Sequence, residues 1–186
     1  MKKIVVILVA LLLSVPAWNQ GLSKKDQKKL AKELKKEQKA EEAALKALVV
    51  KSMVEKASFV LEANQLRGKG GTLITVSSTI NFIASDSISG VIQVGNDGGA
   101  MGSNGLGGVT VEGRITNYQY THNPKKGTYA VSYMLKSVTG NYDVRMNVFG
   151  EGRADAIISS NWPGRINYVG YLVPPSLSKV FKGTSL

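Results

Sequence analysis

The chain has 186 residues and no cysteine, which excludes a fold held by disulfide bonds and a metal site built on thiolates. It must therefore bury an ordinary apolar core. The formal net charge of +11 could suit a polyanion, but the basic residues are spread along the chain without a compact patch, so we interpret the charge as a contribution to solubility and expect no nucleic-acid partner.

The first residues predict an export signal. Lys2 and Lys3 precede an apolar run over 4–15, and small residues around Ala17 follow it, which is the three-part pattern of a secretory signal peptide. The run is about 12 residues long, shorter than the roughly 20 that a spanning helix needs. We therefore predict a signal peptide over 1–17, no transmembrane span after its cleavage, and a periplasmic or secreted protein. An uncleaved anchor is the alternative, and without a cysteine no lipid can be attached through one.

A long helix is predicted next, in a Lys-, Glu- and Ala-rich lead-in over residues 18–56. No glycine or proline occurs between Leu22 and Gly68, and the dominant residue types are good helix formers. The first half has few large apolar side chains and is expected to be solvated. The second half carries an apolar stripe that is expected to dock on the following domain. The stripe consists of Leu45, Leu48, Val49, Ser52, Met53 and Lys56.

A β domain is predicted over residues 57–186. Apolar and polar residues alternate with a period of two there, and Gly, Asn and Asp punctuate the pattern. We predict strands at 58–65, 72–77, 80–84, 90–94, 108–112, 114–121, 128–136, 141–149, 153–159 and 165–173. The short turns between them predict a mainly β fold, an antiparallel meander of about 8–10 strands that forms a sandwich or a small barrel after the N-terminal α-helix.

No combination of residues predicts catalysis or a metal site. His122 is the single histidine, and it lies in a lysine-flanked loop, where a histidine is usually solvated. Asp143, Glu151 and Asp155 show no spacing that singles out a pair, although a hydrolase that uses two carboxylates is kept as an alternative. We predict no catalytic residue, no metal and no cofactor, and a protein that is not an enzyme.

A glycine-rich stretch over 93–113 matches neither a phosphate loop nor a calcium loop. Its glycines lack the G-x-G-x-x-G spacing and no Gly-Lys-Ser/Thr follows, while the calcium templates find glycine or apolar residues at liganding positions. We interpret the stretch as backbone geometry, with an exposed connection over 95–105 and a tightly packed strand start. Valine in place of Gly107 or Gly108 should therefore damage folding.

Three aromatic side chains are the candidate ligand-binding residues. Tyr118 and Tyr120 share one face of a predicted strand, and Trp162 lies in a loop beside Pro163. Aromatic rows can stack sugars or line apolar pockets, although more of them are core residues. A tryptophan in a loop is less easily explained by packing. We therefore predict ligand contacts at Trp162, Tyr118 and Tyr120.

Five segments in a fixed order carry a family resemblance. They are Phe-Val-Leu-Glu-Ala at 59–63, Val-Ile-Gln-Val at 91–94, the run from Gly102 to Gly113, Gly-Glu-Gly-Arg-Ala at 150–154, and 166–174. Over about residues 53–175 the chain resembles a bacterial family of exported proteins known as domain of unknown function 4251. The resemblance implies a signal peptide, a helical lead-in and a mostly β domain, and it supplies no catalytic residues.

These observations predict an exported cell-envelope protein whose β domain is a binding module for a small apolar molecule, a glycan or a protein partner. That hypothesis requires a concave sheet or a barrel mouth lined by Tyr or Trp. The alternative is an envelope-associated interaction protein whose basic helix contacts an anionic envelope component or another chain.

Overall fold

A computed structural model describes residues 23–68, 70–96, 104–160 and 165–186. The predicted signal peptide lies outside these residues. Within them a long helix precedes nine strands. The helix is α1 (Lys24–Glu55), and the strands are β1 (Ser58–Arg67), β2 (Leu73–Thr75), β3 (Phe82–Asp86), β4 (Ser89–Val94), β5 (Val109–Asn123), β6 (Thr128–Ser137), β7 (Gly140–Phe149), β8 (Arg153–Ser160) and β9 (Arg165–Val173).

Eight of the strands form a closed antiparallel barrel. From β3 to β9 each strand pairs with the next one along the chain, and β1 pairs with both β3 and β9. The β1–β9 ladder runs from Val60 opposite Val173 to Arg67 opposite Asn167, and it joins the two ends of the sheet. The short β2 pairs with the C-terminal end of β1, along the same edge of β1 that pairs with β3. The predicted mainly β meander is confirmed, and the barrel is the form that it takes.

The long strand β5 differs from the sequence prediction. We predicted a break at Gly113, but the strand continues from Val109 to Asn123. A Cβ at Gly113 would clash with the carbonyl group of Lys136 on β6, so the glycine permits two backbones to approach closely instead of ending a strand. The irregularity comes later, as a register shift between Thr116 and Gln119 with Asn117 at φ 56°.

Only the last turns of α1 enter the core. Up to Ala40 the helix forms a unit of its own, in which the described side chains are exposed. In the second unit, residues 41–186, the buried side chains of the helix are Val50, Met53 and Val54. The predicted stripe is therefore correct at Met53 and wrong at Leu45, Leu48 and Val49, which are 58%, 62% and 45% exposed. The helix ends at Glu55, and only the turns just before that residue contribute side chains to the core.

The core lies inside the barrel. Successive side chains of a strand point to opposite faces, and the inward set is the apolar one. Directly opposed inward pairs are Val144 with Ile158, Met146 with Ala156, and Val148 with Ala154. Among the described residues, no helix is both long and apolar enough to cross a membrane.

Candidate functional site

One end of the barrel opens into an apolar cavity of about 440 Å³, which we call the mouth cavity. Val94 ends β4, Val109 begins β5, and Ile166 lies at the start of β9, so the cavity is at the barrel end where these strands turn. The last turns of α1 lie towards the other end, because Val50 is close to Gly152 in the β7–β8 turn. Among the described residues, the last turns of α1 therefore lie at one end of the barrel and the mouth cavity lies at the other.

The lining of the mouth cavity is aliphatic and aromatic. It consists of Ile92, Val94, Val109, Val111, Thr139, Tyr142, Ile158, Ser160, Ile166, Tyr168 and Leu186. Strand alternation explains the lining residues that lie on strands, because these positions share the inward face with the core, whereas Thr139 lies in the turn between β6 and β7 and Leu186 lies beyond β9. A preformed concave site of this kind, with few polar groups, is typical of small-molecule binding.

Tyr168 forms the floor of the mouth cavity. Its side chain is completely buried, and its hydroxyl group donates a hydrogen bond of 2.9 Å to the carbonyl oxygen of Gln93 on β4. The side chain therefore reaches from β9 across the inside of the barrel. Burial raises the pKa of the Tyr168 phenol, so it stays neutral and acts as a hydrogen-bond donor.

A row of hydroxyl groups lies on one side of the mouth cavity. The Tyr142 hydroxyl is 3.1 Å from Thr139 Oγ1, which is 3.3 Å from Ser137 Oγ. The backbone N–H of Thr139 also donates to Ser137 Oγ at 3.4 Å. These residues flank the turn between β6 and β7, which places them at the open end. The row supplies the site with polar but uncharged groups.

The segment after β9, residues 174–186, supports the wall of the cavity from outside; we call it the strap. Gln93 is completely buried between the barrel and the strap. Its Nε2 donates to the carbonyl oxygens of Phe181 at 2.8 Å and Ile80 at 3.0 Å. Its Oε1 accepts from Gly183 N–H and from Thr110 Oγ1, both at 2.8 Å.

The strap also delivers a lining residue. The backbone N–H of Leu186 donates to the carbonyl oxygen of Thr110 at 3.1 Å, and the Leu186 side chain lines the mouth cavity. Lys182 forms a 2.7 Å ion pair with Glu112 on β5. The hydrogen bond from Lys182 is the largest influence lowering the pKa of the Glu112 carboxyl. The wall of the site thus depends on contacts that sequence patterns did not reveal.

Asn104 contradicts the exposed connection that we predicted over 95–105. Its side chain is buried, and its Oδ1 accepts from the backbone N–H groups of Leu106 at 2.9 Å and Gly108 at 3.0 Å. Its Nδ2 donates to Val94 O at 3.1 Å and Thr110 Oγ1 at 3.2 Å. The Asn104 amide forms hydrogen bonds with buried backbone groups of this turn, so its role is structural. Residues 97–103 lie outside the described residues.

Two of the predicted ligand-binding aromatics, Tyr118 and Tyr120, do not line the mouth cavity. The Tyr118 hydroxyl donates to the carbonyl oxygen of Val54 at 2.7 Å, and its ring stacks on Tyr133 with centroids 5.9 Å apart. Tyr120 is 41% exposed and lines a separate surface concavity with Arg145. Trp162 lies outside the described residues. Ligand binding by these three residues stays a prediction.

The sequence reasoning missed Tyr142 and Tyr168 as site residues. Tyr142 alternates with apolar residues along β7 and directly follows a turn, which is a signal for an inward residue near a barrel end. Tyr168 has no such signal, because its position on the floor depends on the register of β9 against β1 and β8.

Three other polar side chains of the β domain, His122, Asp86 and Glu62, have structural partners. His122 stacks on Tyr129 with ring centroids 4.4 Å apart. Asp86 accepts from Ser89 Oγ at 2.6 Å, which is the largest influence lowering the pKa of its carboxyl. Glu62 accepts from Ser178 Oγ at 2.7 Å. In the part of the chain that the structure describes, no three His, Cys, Asp or Glu side chains are grouped as a metal site would need.

Two buried tyrosines are expected to respond in opposite ways to the loss of a hydroxyl group. The Tyr133 hydroxyl is buried and has no hydrogen-bond partner among the described residues. Tyr133→Phe should therefore leave the free energy of unfolding unchanged or raise it by about 1 kcal/mol, whereas Tyr168→Phe should lower it by about 1–2 kcal/mol. Urea denaturation measures both, and a Tyr133→Phe protein that is less stable than Tyr168→Phe would contradict this assignment.

Comparisons with known proteins agree with this architecture. A family model described as a domain of unknown function (DUF4251) matches residues 38–172. Among solved structures, the chain is similar to a DUF4251 family protein from Bacteroides eggerthii DSM 20697, with 28% identity and a TM-score of 0.63. The match covers 77% of this chain and 97% of that chain. No curated protein matches.

Proposed function

We propose that this chain, which belongs to the family described as a domain of unknown function (DUF4251), is a non-enzymatic binding module for a small apolar molecule. The family description assigns no activity, so the proposal rests on the mouth cavity. The barrel supplies a rigid wall, the floor at Tyr168 limits the depth of the site, and the open end admits the ligand. The export pattern of residues 1–17 supports binding outside the cytoplasm, in the periplasm or beyond it.

The observation that carries the proposal is the apolar lining of the mouth cavity, which is also large enough for a small molecule. Protein interiors are close-packed, and voids larger than a water molecule are few. A cavity of about 440 Å³ falls within the range of about 300–1,000 Å³ that small-molecule sites occupy. Apolar surface left in water there costs about 25 cal/mol per Å², and an apolar ligand would recover that free energy.

The same lining supports binding rather than catalysis. Its described residues include three hydroxyl groups that could touch a ligand, those of Thr139, Tyr142 and Ser160, besides the Tyr168 hydroxyl, which is engaged by Gln93. None of the described lining residues is a histidine or a carboxylate that could act as a general base. A small apolar ligand is favoured over a glycan for a related reason, since sugars need more hydrogen-bonding groups than this lining offers.

Filling the mouth cavity should abolish binding without loss of the fold. Val109 lines the cavity at the start of β5 and is partly exposed, so a larger side chain can enter the cavity without displacing the core. We expect wild-type protein to bind the apolar dye N-phenylnaphthylamine saturably, with a rise in dye fluorescence. Val109→Trp should weaken that binding by about tenfold or more, which corresponds to about 1.4 kcal/mol.

Val138→Trp is the matched control, because Val138 is 90% exposed and does not line the cavity. It should bind the dye as the wild type does. Circular dichroism should show both variants folded. Dye binding that is unchanged in Val109→Trp, or absent from the wild type, would refute the proposed site.

A further inference from the structure

We infer that the ligand is an uncharged amphiphile, with an apolar body and one neutral hydrogen-bonding end such as a hydroxyl or carbonyl group. The inference rests on the proposed function and adds the chemistry of the ligand. It follows from the charges that the mouth cavity lacks and from the hydroxyl row at its open end.

The described lining of the mouth cavity offers no cation to an acidic ligand. None of its described lining residues has a charged side chain. Sites that recognise carboxylates or phosphates use such side chains, with arginine as the commonest bidentate partner.

A buried charge without a partner is costly, so this lining selects by charge. Moving a carboxylate from water into an apolar site without a counter-charge raises its pKa, and the acid binds as its neutral form or not at all. An ammonium group also loses its hydration there without gaining a counter-charge from the lining side chains, so its pKa is lowered and not raised. A neutral hydroxyl group loses only hydrogen bonds to water, and it can replace these at the site.

The hydroxyl row can supply those replacements. Ser137, Thr139 and Tyr142 carry one hydroxyl hydrogen each, and the two contacts between their oxygens use two of the three. One hydroxyl hydrogen therefore remains beyond the row, together with acceptor lone pairs. Thr139 and Tyr142 line the cavity, so a neutral ligand group there can donate to their oxygen atoms, and it can accept in the arrangements that leave the third hydrogen on Thr139 or Tyr142 instead of Ser137.

A set of ligands that share one chain and differ in their end group tests the inference. Dodecanol below its solubility limit, and dodecanoate and dodecylamine below their micelle concentrations, are used to displace N-phenylnaphthylamine from the full mature chain at neutral pH. Dodecanol should displace the dye at a concentration about tenfold lower than either charged analogue. Acidification should strengthen displacement by dodecanoate, because the neutral acid forms, and should leave dodecanol unchanged.

The outcomes separate this inference from the proposed function. If the dye does not bind at all, the proposed function fails. If the dye binds and a charged analogue displaces it as well as dodecanol does, or if dodecanol does not displace it, the function stands and the inference on ligand charge fails.

A second variant tests the role of the hydroxyl row. Tyr142→Phe should raise the inhibition constant of dodecanol about fivefold, after correction for the dye affinity measured for the same variant. Tyr171→Phe is the control, because Tyr171 is exposed on β9 and does not line the cavity. Equal dodecanol affinities in the two variants would overturn the assignment of the row to the ligand's polar end.

Discussion

Gly170→Ala is expected to lower the free energy of unfolding by about 3 kcal/mol, near the upper end of what overpacking costs. Gly170 lies in β9 opposite Ala63 of β1, at the seam where the barrel closes. A Cβ there would stand far inside van der Waals contact with the carbonyl group of Glu62 and would also approach the Cα atom of Ala63. Backbone atoms of a paired strand cannot move aside as a flexible side chain can, so the ladder itself must shift.

Thermal unfolding followed by circular dichroism measures this effect. A loss of about 3 kcal/mol should lower Tm by about 6–12 °C in a domain of this size. Gly68→Ala is the control, because a Cβ at Gly68 meets no atom within 4 Å and its backbone is not in the left-handed region. The control should stay within about 0.5 kcal/mol of the wild type. Equal stabilities of the two variants would show that the seam does not need a glycine.

Gln93→Met should destabilise the protein by about 4 kcal/mol and release the strap. The change keeps the length of the side chain but removes four hydrogen bonds at a completely buried position. Each buried polar group left without a partner costs about 1–3 kcal/mol. The carbonyl oxygen of Phe181 and the N–H of Gly183 belong to the strap, and they can regain hydrogen bonds by moving out to water. The strap should therefore separate before the barrel unfolds.

Urea denaturation and limited trypsin digestion test the two parts of this prediction. Cleavage after Lys179 and Lys182 should become faster in Gln93→Met under conditions in which the barrel stays folded. Gln119→Met is the matched control at an exposed position and should change neither stability nor cleavage. Unchanged cleavage in Gln93→Met would show that other contacts hold the strap.

The fold was predictable where local alternation decides it. In β7 and β6 the period of two identifies the inward residues, and the turns at Gly127 and Gly140 have the positive φ that glycine favours. Prediction failed where a distant backbone decides the conformation. Gly113 resembles a strand end in sequence, yet it is a point of close approach to Lys136, a contact 23 positions away that no local pattern encodes.

The candidate site was predictable only in outline. A barrel mouth lined by tyrosine was among the expected forms, and the cavity with Tyr142 and Tyr168 is of that kind. The particular residues depend on register and on the strap, which set which inward side chains reach the open end. Tyr118 shows the converse, because its hydroxyl group is bonded to Val54 at the end of α1, a contact between elements that the sequence does not align.

The pairing of β1 with β9 also determines when the barrel can exist during synthesis. β1 is the first strand made and β9 is the last, so the ladder that joins them cannot form until residue 173 has been added. Until then β1 has an unpaired edge, whereas neighbours such as β6 and β7 can already form hairpins. Contacts between such distant positions also make folding slow. The barrel and its mouth cavity can therefore close only after the last strand of the ladder, β9, is free to pair with β1.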